Sequence, residues 1–494
     1  MALTNETSNA DQLLTRFGYK PEYRREIKRF ASFAIGFSFI SITTGIFSTY
    51  GAVLGWGGPL GIWTWPFVVL GQLCVALVFA ALASRIPLAG YSYQWASRLT
   101  NPKLGWLFGW LSFMYLIVVV VSVDYAISST VLPSLFNYTE TASNAWLATA
   151  LIILIQALLI VFSTVWSTRI NNIAVGTEVI GIVGLTLLLV IVGALRGLLH
   201  PDHVFSMGVV PAQGYFNLGG WNVTGPFMLS FLLGSYTVVG FEAAANLAEE
   251  TQNAHKVVPF AMWSAVLLSG VIGFLFLIAL NLASGNLGVL SKSATPVADI
   301  VTGTLGSVVG SIFLVLVTFS IFACGLVIFI TATRLTWAMS RDRRFLGHAL
   351  FSRVNGRTGT PVAATVLLFI LIEIVLAIFA NQTNALVSLF TASSLLPAVL
   401  YLATVILYVF TRDKVPGTQA FKLGVFEWPI VVLSIIWLVF ELAIFRDTQF
   451  VTPWLYSIGM FAIGLLYFVW MLVSPAKVLE TLPETTTPEP EAVS

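Results

Sequence analysis

Charge is what this sequence has least of. Charged residues fill 9% of its 494 positions, against about 25% in an ordinary soluble domain; 57% of positions are hydrophobic and the mean hydropathy is +0.91. A water-soluble globule is excluded. Cysteine is almost as scarce: Cys74 and Cys324 both fall inside apolar runs, which excludes a disulfide framework and leaves the redox compartment unread. There are 4 histidines, and no Cys/His cluster, nucleotide loop or metal-ligand pattern lies within the apolar runs, so the common enzyme and nucleic-acid-binding classes find no support. His200 and His203, with Asp202 between them, are a weak metal signal in what reads as a solvated loop, and no metal site is assigned. A cleavable leader is not expected either, because the basic start leads directly into a full-length apolar run that serves as its own insertion signal.

What the chain has is apolar runs of about 20 residues, the length that crosses a bilayer. Twelve can be marked, at 30–54, 61–83, 104–131, 146–162, 173–195, 226–247, 259–283, 308–339, 361–380, 386–410, 428–445 and 454–473. With the N-terminus inside, all of the 24 Lys and Arg residues except Arg196, Lys292 and Arg446 fall on the cytoplasmic side. The reading is a multi-pass protein of the cell membrane with both termini cytoplasmic. It has a segment 1–29, a helical domain 30–474 and a disordered acidic, Pro-rich tail 475–494.

Two runs carry residues that mere lipid crossing does not require. The stretch 232–251, LLGSYTVVGFEAAANLAEET, holds Gly234, Ser235, Thr237, Gly240 and Glu242. Gly and β-branched polar residues weaken a helix, and a carboxylate at membrane depth costs at least ~2.5 kcal/mol. The first run holds Ser38, Ser41, Ser48 and Thr49 around Thr43-Thr44-Gly45. Small polar residues also serve helix packing, but such a cluster is a poor way to continue a helix. The two stretches open successive groups of five runs, about 30–195 and 226–410. An odd number inverts the second copy, the pattern of transporters whose broken helices meet at mid-membrane. The runs at 428–473 are then two additional helices.

Other membrane carboxylates are read individually. Glu178 could pair with Arg169 or handle a proton or cation; Asp124 is expected to be solvated near an outer end, and Glu373 and Glu441 to be packing pairs. The loop 84–103 is expected to be ordered, with a short helix at the interface. The basic loop 340–360 has topology as its sufficient explanation, with lipid contact a further use.

A small zwitterion in a dry site needs partners for an ammonium and a carboxylate. Unwound helices supply both from their own backbone amides and carbonyls, with few charged side chains. The residues expected to bind it are Thr43, Thr44, Gly45, Ser235, Tyr236 and Thr237, with the Tyr236 ring as a lid. Glu178 and Glu242 are the candidate coupling carboxylates.

The motifs SITTGIF, IPLAGYSYQWASRL, GFEAAANLAEETQNAHKVVP, SRDRRFL with RTGTPVAA, and FKLGVFEWPI resemble the amino acid, polyamine and organocation transporter superfamily. The likeness is strongest to its amino acid/choline branch, which includes 4-aminobutyrate permeases, and it spans about residues 20–475. It implies an all-α, twelve-helix, five-plus-five inverted-repeat fold with discontinuous first and sixth helices. It also places Thr43, Thr44 and Gly45 at the substrate-carboxylate loop and Tyr236 at the aromatic gate. Glu178 falls where some relatives carry a lysine in place of a sodium ion, so their coupling rules do not transfer. The expected function is secondary active transport of a small amino acid or amine, without a cofactor and with a proton or sodium ion as coupling ion. A choline or amine permease and a non-transporting nutrient sensor are the alternatives.

Overall fold

The computed structural model describes residues 18–19, 23, 25–162, 164–217, 225–380, 385–414, 421–474 and 478–480. Most of segment 1–29 and of the tail 475–494 therefore lies outside the described residues. Within them the chain is helical, no strand occurs, and 11 helices are long and apolar enough to cross a membrane.

The first crossing is two helices, α1 (Arg29–Ile40) and α2 (Ile42–Gly57), joined at Ser41 with φ 34° and ψ 95°. α3 (Thr64–Arg85) follows, then the short α4 (Tyr91–Leu99) and the long α5 (Pro102–Ala126). α5 starts where its sequence allows: Asn101 caps the Leu104 amide at 2.9 Å and Pro102 fills the first turn, where no amide partner is needed. α6 (Ala142–Phe162) and α7 (Thr164–Leu195) complete the first half. α8 (Phe231–Thr237) is one fragment of the stretch from Pro226 to Glu250; it is followed by an unwound segment, a four-residue helix Ala243–Asn246 and a 3-10 turn Ala248–Glu250. None of these fragments spans by itself, which is why 11 continuous crossings stand against the twelve apolar runs. α9 (Ala254–Ala283), α10 (Pro296–Leu305), α11 (Ser307–Arg341), α12 (Val362–Ala380), α13 (Ala385–Thr411), α14 (Glu427–Ile444) and α15 (Val451–Val473) complete the chain.

Burial separates centre from rim. The most apolar window of the first crossing is 89% buried, whereas that of α15 is 17% buried. The broken helix is thus the axis of the bundle, and α15 is a rim helix whose apolar side chains suit lipid. α8 packs on α2 and α3; α5 lies against α11 and α13; α6 pairs with α12. α14 and α15 rest on the outside, α14 against α3 and α13 and α15 against α5 and α13.

Three expectations gain detail or change here. The loop 84–103 does contain a helix, and α4 is packed into the protein: Tyr91, Tyr93 and Trp95 are fully buried, the Gly90 amide donates to Asn246 at 2.7 Å and the Trp95 indole to the Ile86 carbonyl at 3.0 Å. Asp124 is not solvated. It is fully buried and accepts from the Gln156 amide at 2.8 Å, because α6 supplies a polar partner that spacing along α5 cannot reveal. In the loop 340–360, Arg344 is buried and donates to Tyr93 (3.0 Å) and Ser97 (2.9 Å), leaving Arg343, Arg353 and Arg357 exposed.

Candidate substrate site between two broken helices

The two breaks form for the same reason: an unfavourable backbone conformation is held by side chains that replace the lost helix bonds. At the first, the Ser41 hydroxyl accepts from the Thr44 amide (3.2 Å) and the Thr44 hydroxyl (2.7 Å), capping α2. At the second, Gly240 has φ 85°, a left-handed conformation that glycine adopts freely. Its amide donates to the Tyr401 phenol oxygen at 2.9 Å, and that phenol donates to Glu242 Oε2 at 2.5 Å. Glu242 thereby gains the partner that its own helix does not provide. Tyr401, on α13, bridges the unwound backbone and the carboxyl.

The breaks meet. A Cβ on Gly45 would overlap the side chain of Thr237, and one on Gly240 would run into the Phe39 ring. Between them lies a cavity of about 10 Å³, room for about one water. Of the six expected binding residues, Thr44, Gly45, Tyr236 and Thr237 line it. The other lining residues are Phe39 and Ile40 of α1, Val119 and Val123 of α5, Val239, Cys324 of α11 and Ser393 of α13. No charged side chain is among them. Cys324 and the Ser393-Ser394 pair were polar marks within apolar runs, whereas Val119 and Val123 carry no sequence signal.

Thr43 and Ser235 face elsewhere. The Thr43 amide (3.1 Å) and hydroxyl (2.9 Å), with the Ser41 hydroxyl (3.1 Å), all donate to Glu178 Oε1. The Ser320 hydroxyl of α11 lies 3.1 Å from that of Thr43. Glu178 is thus not turned to a basic group at the membrane edge. It sits at the N-terminus of α2, where helix dipole and free amides favour an anion. Ser235 faces Glu441 of α14, a buried carboxyl that also accepts from Gln72 at 3.3 Å. Tyr236 is not in the unwound part but in the last turn of α8. Its ring packs on Phe390 at 4.5 Å between centroids, and its phenol oxygen accepts from Ser122 at 3.0 Å.

Both approaches to the cavity are closed. On the basic face, Arg341 holds Glu249 through two bonds of 2.8 and 2.9 Å, and Arg334 meets Glu250 at 2.5 Å. The segment before α1 completes this seal: Ile27 exchanges backbone bonds with Glu250 (3.0 Å) and Gln252 (2.9 Å). Tyr19 donates to Asp342 at 2.8 Å beneath the Arg341 guanidinium. Burial, reinforced by the Asp342 charge, pushes the Tyr19 phenol up to about 12, so it remains a donor at neutral pH. On the opposite face Tyr215 donates to the Gly57 carbonyl at 2.5 Å, and Asn281 links Tyr50 (2.7 Å) to the Pro59 carbonyl (2.8 Å).

Residues 27–473 match the family described as amino acid permease. The chain belongs to the amino acid permease family. The family is one of transporters rather than enzymes. Similar permeases include the amino-acid permease BAT1 of Arabidopsis thaliana, 26% identical over 86% of this chain and 86% of that protein. An uncharacterised amino-acid permease of Schizosaccharomyces pombe is 28% identical over 73% of this chain and 67% of its own length. The GABA-specific permease of Saccharomyces cerevisiae is 26% identical over 72% and 64%, respectively. The match begins at Ile27, whose backbone in this permease pairs with that of Glu250 and Gln252 after the second break. As a multi-pass membrane permease it carries an amino acid as substrate. His200, Asp202 and His203 bring donor atoms within 4.8 Å of one another outside this site; His203 is bonded to Ser284 at 2.8 Å and Asp202 is exposed.

Proposed function

We propose that this permease is a secondary active transporter of a small amino acid or related amine, with 4-aminobutyrate the first compound to try. The observation that carries the reading is the cavity between the two breaks, lined by backbone, hydroxyls and apolar groups without a charged side chain. A ligand with both an ammonium and a carboxylate finds neutral, directional partners there, and its charges are met by helix ends. The kinship with a protein named a GABA-specific permease supports the choice of compound.

In this reading Pro226–Glu250 is the sixth of twelve crossings. Residues 30–195 and 226–410 are inverted repeats, and α14 and α15 are the two additional helices. The basic face is cytoplasmic and the membrane is the cell membrane. Tyr236 is the lid, sliding from Phe390 as the site opens by alternating access. The cavity is too small for an amino acid as it stands, so binding separates α2 from α8. Glu178 is the coupling site. As a carboxylate it fastens the N-terminus of α2; taking up a proton removes the charge the helix end holds, freeing the break to move. The oxygens of Ser41, Thr43, Ser320 and Glu178 would also suit a sodium ion.

Uptake into proteoliposomes separates these possibilities. An inward proton gradient is expected to drive accumulation of 4-aminobutyrate, and a sodium gradient to do so only if the ion is sodium. Absence of accumulation of any amino acid or amine under either gradient would sink the proposal.

A further inference from the structure

A groove of about 760 Å³ runs along the outside of the bundle where α1 meets α9, lined by Arg29, Phe30, Phe33, Phe260, Leu267 and Val271 among others. Its volume falls within the roughly 300–1,000 Å³ of ordinary ligand pockets. Its walls are apolar and open to the membrane: Phe30 is 57% exposed and Val271 52%. A groove in a membrane-facing wall is filled by acyl chains as a matter of course. Its basic end sets it apart from the rest of that wall.

Arg29 closes the groove with its guanidinium 4.0 Å above the Phe260 ring. A guanidinium held over a ring face can still donate from its edge to an anion. Lys28 precedes Arg29 and is exposed, and Lys256, also exposed, sits one turn before Phe260 on α9. Glu26 is the exposed carboxylate of the same stretch; Glu249 and Glu250 are already taken by Arg341 and Arg334. Among the described residues the exposed charges on these two stretches are Lys28, Arg29 and Lys256 against Glu26, and Arg29 itself lines the apolar slot, the arrangement that fits a phosphate with acyl chains attached.

We propose that this groove is a binding site for one anionic phospholipid, its chains along Phe33, Leu267 and Val271 and its phosphate on Arg29. The site uses the outer side of α1, the half-helix that ends at Ser41, and is separate from the substrate cavity.

The test is native mass spectrometry of the full-length protein released from mixed micelles of phosphatidylglycerol and phosphatidylcholine. It reads lipid adducts and does not depend on transport. The intact protein should retain phosphatidylglycerol in preference to phosphatidylcholine. Arg29→Gln should cut that preference about fivefold, the change one basic side chain at a membrane surface contributes. Arg353→Gln, exposed but outside the groove, should leave it intact. Val271→Trp, which fills the slot from a lipid-exposed position, should lower adducts of both lipids. Added glycerol phosphate should not displace the lipid; displacement would assign the site to a free phosphate and overturn the proposal. Equal retention of the two lipids, or an undiminished preference in Arg29→Gln, would overturn it as well.

Discussion

At the residue scale the proposed roles fall to Tyr236 as lid and to Glu178 as coupling site. Tyr236 touches the cavity with its ring and Ser122 with its phenol, so two substitutions separate the roles. Tyr236→Ala removes the lid, and uptake should fall by at least tenfold with abundance in the membrane maintained. Tyr236→Phe keeps the ring and loses one hydrogen bond of about 1 kcal/mol, a roughly fivefold effect at most. Uptake rates normalised to protein amount check both. Glu178→Gln keeps the shape and an acceptor for Thr43 but cannot gain or lose charge. Proton-driven accumulation should then disappear while exchange of internal for external substrate persists; an unchanged dependence on external pH would remove Glu178 from coupling. The sequence marked both residues, since each is a polar anomaly inside an apolar run. It could not show that Thr43 turns to Glu178 and Ser235 to Glu441, because which side of a broken helix a residue faces depends on where the break falls. The first break is at Ser41, two residues before Thr43, the first of the residues expected to bind.

The elements that matter most are those that fail to be helices. The unwound stretch after α8 rests on Gly240 and on Tyr401, which ties its backbone to Glu242. Gly240→Ala should cost about 1–2 kcal/mol for the left-handed backbone, and more through its overlap with Phe39. Thermal unfolding in detergent should show a lower Tm than wild type. The seal on the basic face is of a different kind, made of buried ion pairs in which losing one partner strands the other. Arg334 and Glu250 are nearly inaccessible, so Glu250→Gln should destabilise the closed form by roughly 3–5 kcal/mol. Its signature is faster labelling of cavity residues from that face. The second break was legible in Gly240 and Glu242. Its support by Tyr401 was not, since 159 residues separate Tyr401 from Glu242 and only the fold brings them together.

At the scale of the whole molecule, composition and positive charge were enough to indicate a multi-pass helical protein. The burial of α4, the Asp124–Gln156 pair and the lipid-facing groove beside α1 needed the packed bundle. The central claim is that the substrate occupies the cavity between α2 and α8, and Cys324 reports on it. Its thiol is buried, lines the cavity and points toward the Phe39 carbonyl at 3.4 Å; replacing the partly exposed Cys74 by serine leaves it the one thiol in the chain. The decisive measurement is the rate at which a small membrane-permeant maleimide labels Cys324 in Cys74→Ser proteoliposomes, with and without a compound those same vesicles accumulate. The account predicts that a saturating transported compound slows labelling several-fold and that a non-transported analogue does not. Labelling that a transported compound leaves unchanged would contradict it.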